Sequence, residues 1–409
     1  MKKIFVISKN KTTNLGNIAL TAELTSLFTR KFSDQSLIFA GRPVGINLVS
    51  YEALNESIDY VKLFEKWKQA VLRRIGDLTP AWNEQMSTVN VSYVEPSVTN
   101  TNKSFLSLKK FIKKLIVKDV TEKYRERMSA MLGADLVVYS GAGEVCDDVT
   151  FLRQLLELAV LQAKGIRTCA INQSINLRNE RMIKLCNSVY SRMDAIAVRG
   201  HHSKAKLVAM GVPEEKIFVC PDTAVLTKPN ELTSPGNAVG INFTPYTRFS
   251  TEGMRDVINY LRSMKYEVSF VTNNPHDDQR LIEFFIREFD VHPTEQLKEH
   301  KGFSASLSKF RYIISSRLHT NVLSLCAGVP VVPIEGQFYK TIEMFDLFQY
   351  PIPVIDKNAK GWEFEIVDRI KVLEKDYDAT KELVVNNLDR WRRMAEGNYE
   401  VVRDSLAIQ

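Results

Sequence analysis

The sequence predicts an α/β protein of two Rossmann-like domains facing a cleft, and three observations carry that reading. Short apolar runs bounded by turns alternate with helical patterns, the signature of parallel sheets joined by crossover helices. A stretch with two prolines and a glycine, residues 228–237, breaks the alternation, which then starts again. The length of 409 residues suits two or three domains at roughly 100–200 residues each. Apolar residues make up 44% and Gly and Pro are modest at 18 and 14, which excludes disorder and a collagen-like chain.

The elements follow in order. Residues 3–8 hold the apolar run Ile4-Phe-Val-Ile7 and read as a first buried strand, followed by a loop and a helix over 18–31. Strands are expected over 135–139, 167–171, 195–198 and 217–220. Helices are expected over 150–164 and 179–190, with another ending near Gly211. After the break come strand 238–243, helix 251–264, strand 267–272, helix 277–289, strand 312–315, helix 319–327 and strand 330–334. A helical stretch over 376–407 ends the chain. The region of about 41–131 is less regular, with amphipathic patterns at 51–75 and 104–131, and reads as a helical insertion in the first domain. The expected organisation is an N-terminal α/β domain over 1–228, a C-terminal α/β domain over 237–375 and a helical segment over 376–409.

Charge is concentrated. The formal net charge is +7, but residues 103–118 hold six lysines and no acid, which leaves +1 for the rest. No nucleic-acid partner is expected from a chain that is otherwise neutral. Within 103–118, Phe105, Leu108, Phe111, Ile112, Leu115 and Ile116 recur at helical spacing between the lysines. Two readings stand: a solvated helix face docked on the N-terminal domain, or a basic amphipathic helix on an anionic membrane leaflet. The five cysteines are widely spaced with no Cys-x-x-Cys pair, as expected of buried free thiols in a reducing compartment. The apolar run after Lys3 is too short for a signal peptide, and residues 319–334 fall short of the ~20 apolar residues that span a bilayer. The expected location is the cytoplasm, with the inner face of the membrane as its one alternative site.

Polar loops at strand ends carry the candidate chemistry, because ligands of parallel sheets bind outside the carboxyl ends of the strands. The sharpest is Ser315-Ser316-Arg317-Leu318-His319-Thr320, between an apolar strand and a helix. A helix N-terminus presents unpaired N–H groups to an anion. Arg317 adds a planar cation suited to carboxylate or phosphate, and His319 titrates near neutrality. Gly141 and Gly143 follow another strand and permit close backbone approach, with Glu144 as an acid or base beside them. Asn14 and Asn17 follow the first strand, as hydroxyl-binding amides or as a helix cap. Gln173 and Asp222 follow two further strands. The segment Asn274-Pro275-His276-Asp277-Asp278 is either a helix start or a cleft-lining cluster, and His292 and His300 read as solvated loop residues. The adjacent His201 and His202 lack a second pair of ligands in sequence, so no metal site is expected.

Taken together, these residues resemble the polysaccharide pyruvyl transferase family. The resemblance is carried by Asn14-x-Gly16-Asn17-x-Ala19, Gly141-x-Gly143-Glu144, Gln173, and Val198-Arg199-Gly200-x-x-Ser203 with Gly211-Val212. It continues through Pro221-Asp222-x-Ala224 and Ser316-Arg317-Leu318-His319-Thr320 with Gly328-Val-Pro330. The Arg-Leu-His block before Gly-x-Pro is its most specific part. The family often has Asp where Asn17 stands and a fuller glycine run around Ser140 and Ala142.

The resemblance implies a GT-B-like fold and transfer of a pyruvyl group from phosphoenolpyruvate to a sugar of a cell-surface polysaccharide or its precursor, forming a cyclic ketal. It implies Arg317 as donor-anion clamp and His319 as acid/base or phosphate partner. Asp222 and Glu144 become candidates for activating acceptor hydroxyls. Asn14, Asn17, Gly141, Gly143, Gln173, Arg199, Thr320 and His276 become candidate substrate-binding residues. The acceptor side is expected on the N-terminal domain and the donor side on the C-terminal one. Phosphoenolpyruvate enters as substrate, no cofactor is expected, and the acceptor is a sugar or glycan, free or lipid-linked. Two alternatives are a GT-B glycosyltransferase using a nucleotide-sugar and a non-catalytic glycan-binding or scaffold protein.

Overall fold

The computed structural model describes residues 1–8, 12–41, 59–76, 78–82, 117, 120–121, 125–141 and 145–408. Most of the basic segment 103–118 and both Gly143 and Glu144 lie outside the described residues.

The N-terminal half contains β1 (Lys3–Ser8), α1 (Leu15–Lys31), β2 (Ser36–Gly41), α2 (Tyr60–Arg74), α3 (Arg125–Leu132) and β3 (Leu136–Ser140). It continues with β4 (Val145–Cys146), α4 (Val149–Ala163), β5 (Arg167–Gln173), β6 (Ile175–Asn176), α5 (Glu180–Tyr190), β7 (Ile196–Val198), α6 (His201–Ala209) and β8 (Ile217–Val219). Six strands form one parallel sheet in the order β2-β1-β3-β5-β7-β8. Alternation along β1 shows how the layers form. Phe5 and Ile7 enter one core with residues of α2 and α4, while Ile4 and Val6 enter the other with Leu24, Leu27 and Phe28 of α1. A strand buried on both faces needs a continuous apolar run, as Ile4–Ile7 provides.

The C-terminal half repeats the pattern with β9 (Ala238–Asn242), α7 (Thr251–Ser263), β10 (Glu267–Phe270), α8 (Pro275–Phe289), α9 (His300–Leu307) and β11 (Phe310–Ser315). It ends with α10 (Leu318–Cys326), β12 (Val331–Pro333), α11 (Lys340–Phe348), α12 (Trp362–Lys375) and α13 (Tyr377–Ala407). Its sheet is parallel, in the order β10-β9-β11-β12. β2, β4, β6, α9, α11 and α12 are additions to the sequence expectation. The 31-residue α13 returns to the first half. Its Val401, Val402 and Leu406 pack beside Ile4 and Val6, and Asn398 donates to the Pro221 carbonyl at 2.9 Å. Among the described residues, no helix is long and apolar enough to cross a membrane.

Side chains join the two halves. Glu343 of α11 accepts from Ser174 Oγ at 2.7 Å and from Ser203 N and Oγ at 3.1 Å. It thereby caps α6, whose own N-cap, Gly200, offers no side chain. His300 corrects the expectation of a solvated loop residue: it begins α9 and meets Glu23 of α1 at 2.9 Å, both buried. Because that partner is 277 positions away, local polarity gave no hint of it.

Candidate functional site

Chain order reverses direction across each sheet between β1 and β3 and between β9 and β11, and such switch points leave a crevice at the strand ends. A cavity of about 540 Å³ lies there, with Asn14 and Asn17 after β1, Arg199 after β7, Tyr246 after β9, and Asn273 and Asp277 after β10 on its walls. Thr244, Ser316, Arg317, His319, Gln337 and Lys340 complete the polar lining.

The loop after β11 is held from beneath. Arg317 N donates to Ser315 Oγ at 3.0 Å, Asn321 Nδ2 to the Ser315 carbonyl at 3.1 Å, and Thr244 N to Ser316 Oγ at 2.9 Å. Arg317 is therefore the extended N-cap residue of α10, and the free first-turn N–H groups and guanidinium reach the cavity together. One guanidinium edge ion-pairs with Asp278, which is fully buried and also accepts from Thr272 Oγ1 at 2.6 Å. Arg317 Nε has no partner among the described residues.

Asp222 stands behind His319. Its Oδ2 meets His319 Nε2 at 3.0 Å and ion-pairs with Arg199, while Oδ1 accepts from Ala224 N at 2.8 Å. Burial alone would raise the Asp222 carboxyl, but Arg199 and His319 outweigh it and hold the group down at about 2. An ionised carboxylate only accepts, so His319 Nε2 carries the proton and Nδ1 is the basic nitrogen of the neutral ring. Burial lowers the His319 pKa against the opposing pull of Asp222. On the far side of the ring is Gly16, where any Cβ would overlap the imidazole. The first turn of α1 is thus a wall for His319, fixed by Asn14, whose Oδ1 accepts from Gly16 N at 3.0 Å.

The sequence candidates divide by position. Asn14, Asn17, Arg199, Arg317 and His319 share the cavity wall. Asp222 is fully buried and reaches the cavity through His319 and Arg199, so it orients the ring instead of meeting an acceptor hydroxyl. Gln173 is buried and donates to the Tyr139 and Ile171 carbonyls at 3.0 Å, filling the space a side chain at Gly141 would need. Thr320 is buried in the first turn of α10, off the cavity wall. His276 points to solvent at 88% side-chain exposure, and the wall residue is its neighbour Asp277. Gly143 and Glu144 lie outside the described residues. Tyr246, Asn273, Asp277 and Lys340 are wall residues that the sequence reading did not assign, Asp277 appearing there only within an undecided cluster. The one available signal was their position just after a strand or at a helix start. Glu335 sits behind Gly336, off the wall, where burial first and Asp356 second push its carboxyl up to about 7.

The arrangement defines a class: a two-domain α/β fold with a cationic cleft and a carboxylate-oriented histidine. Solved structures share the architecture. MnaA of Staphylococcus aureus, solved with UDP, superposes with a TM-score of 0.57 at 12% identity, covering 98% of this chain and 95% of that one. UDP-GlcNAc 2-epimerase of Neisseria meningitidis gives 0.54 at 12% identity over 99% and 100% of the two chains. UGT71G1 of Medicago truncatula, complexed with UDP-glucose, gives 0.53 at 12% over 99% and 98%. These likenesses establish the GT-B fold. A search of curated proteins returns no match. Residues 24–337 match the polysaccharide pyruvyl transferase family, and the chain belongs to it.

Proposed function

We propose that the cavity transfers a pyruvyl group from phosphoenolpyruvate to two hydroxyls of one sugar unit, forming a cyclic ketal on a polysaccharide or its precursor. The observation that carries this is the meeting of Arg199, Arg317 and Lys340 around His319, whose ring Asp222 holds with Nδ1 as its base. The donor brings a carboxylate and a phosphate, which suit two guanidinium groups, an ammonium and a helix N-terminus.

The atoms balance between donor and acceptor alone. One hydroxyl oxygen bonds to C2 of the donor, and C3 gains a proton to become a methyl group. The phosphate leaves with the electron pair of its C–O bond, and the second hydroxyl closes the ketal. Of the two hydroxyl protons released, one balances the methyl group and the other the departing phosphate. His319, neutral near pH 7, takes a hydroxyl proton and returns it, while the cations stabilise the phosphate as charge builds on it.

The test is incubation with phosphoenolpyruvate and a panel of free, nucleotide-linked and lipid-linked sugars. Expected are phosphate release and an acceptor heavier by one pyruvate less one water. Nucleotide release from a nucleotide-sugar, with no reaction of phosphoenolpyruvate, would instead identify a glycosyltransferase.

A further inference from the structure

The walls of the cavity differ in what they ask of a ligand. Arg199, Arg317 and Lys340 ask for an anion; Tyr246 and Asn273 from strand-end loops of the C-terminal half, with Asp277 from the first turn of α8, ask for something else. Asn273 is 1% exposed, and its amide orientation is fixed by Asn14. Asn14 Oδ1 already accepts from Gly16 N, so the Asn273 atom facing it at 3.3 Å is the donor Nδ2. That leaves Oδ1 of this wall residue buried with no partner among the described residues. A buried acceptor without a donor is costly, and a ligand hydroxyl removes the cost. Ionised phosphoenolpyruvate has no O–H to give; a sugar has several.

Asp277 points the same way. It is the single carboxylate lining the cavity among the described residues, so it repels a polyanionic donor and accepts hydroxyls. Asn274 Nδ2 donates to its Oδ2 at 2.5 Å and fixes the carboxylate, while among the described residues Oδ1 meets only the exposed His276, at 3.5 Å. Tyr246 adds a ring that is 66% exposed beside Pro245, with no ring, cation or hydrogen-bond partner among the described residues. An exposed aromatic at a cavity mouth offers a flat apolar face with a polar edge, which suits the C–H face of a pyranose.

We infer that Tyr246, Asn273 and Asp277 form the sugar-binding subsite, with the ring on Tyr246 and hydroxyls donating to Asn273 Oδ1 and Asp277. This moves acceptor recognition to the C-terminal half, against the expectation of an N-terminal acceptor side. Calling the bound sugar a pyruvyl acceptor rests on the proposed function; the binding of a sugar does not.

Saturation-transfer NMR with the methyl glycosides of galactose, glucose, mannose and N-acetylglucosamine tests it, with and without phosphoenolpyruvate. Phosphoenolpyruvate affinity and thermal stability are read in parallel. The wild type is expected to give ring-proton signals with at least one glycoside. Y246A and D277N are expected to weaken them about fivefold or more, Y246F to retain them, and phosphoenolpyruvate to bind all variants as tightly as the wild type or tighter. No signal from the wild type, or equal signals from Y246A and D277N, overturns the assignment. So does a loss of phosphoenolpyruvate binding in the variants with sugar signals intact, which gives the wall to the donor. Sugar binding by a wild type that ignores phosphoenolpyruvate upholds the subsite and refutes the proposed function instead.

Discussion

Asp222 and Asp278 are both fully buried and both ion-paired with an arginine of the cavity wall, yet their carboxyls shift in opposite directions. Burial disfavours the charge on each. At Asp222 a guanidinium, an imidazole and a backbone N–H together overcome it; at Asp278 Arg317 and the Thr272 hydroxyl do not, and the pKa is raised. Asp222 is therefore an anion at neutral pH that fixes His319, whereas the charge of Asp278 is less well supported by its partners. The pair nearer the base is locked and the pair nearer the anion site is only tethered.

Breaking the locked pair should have the largest effect. D222N removes the ion-pair partner of the buried Arg199, with an expected stability loss of about 3–5 kcal/mol by denaturant titration. Turnover should fall about 100-fold or more, since a base that has lost its orientation loses most of its contribution. The pH dependence carries the same sign. Asp222 lies below its unfolded value, so its stabilisation is present above about pH 4 and lost as pH falls through about 2, an effect on the order of 2 kcal/mol. Asp278, with a raised folded value, withdraws stability as pH rises from its unfolded to its folded pKa. For His319, kcat/KM should rise with pH about a midpoint below the usual ~6.5. The carboxylate supports the charged ring, so D222N should move that midpoint lower still.

Next in size is R317A, expected to cost about 100-fold in kcat/KM for the donor, with R317K recovering part of it, because a point charge replaces a planar fork. G16A tests His319 from the other side. A methyl group there must displace the ring, and turnover should fall about tenfold with a stability change of about 1–3 kcal/mol. Smallest should be D278N, with stability within about 1 kcal/mol of wild type and donor KM moved a few-fold. If D278N proves as damaging as D222N, the contrast between the two pairs is wrong.

Arg317, His319 and Asn14 were legible because each ends an apolar strand and begins a helix, a junction that local pattern reveals. Asp222 was legible as a residue but not as a role, since its burial depends on Arg199 and His319 arriving from other elements. His276 was chosen over Asp277 because the pattern does not set helical phase. Pro275 begins α8, and neighbours on a helix point about 100° apart. Tyr246, Asn273 and Lys340 belong to no repeating pattern, and only the folding of the C-terminal half brings them to one wall.

The central claim is that the Asp222–His319 pair and the cations beside it turn phosphoenolpyruvate into a ketal donor. Its most direct measurement is the mass of sugar acceptors after incubation with phosphoenolpyruvate and either wild type or H319A. The expected result is a product heavier by one pyruvate less one water, with equimolar phosphate, from the wild type and about 100-fold less from H319A. Ketal formed equally well by H319A, or an unchanged panel under wild type while a nucleotide-sugar is consumed, would contradict it.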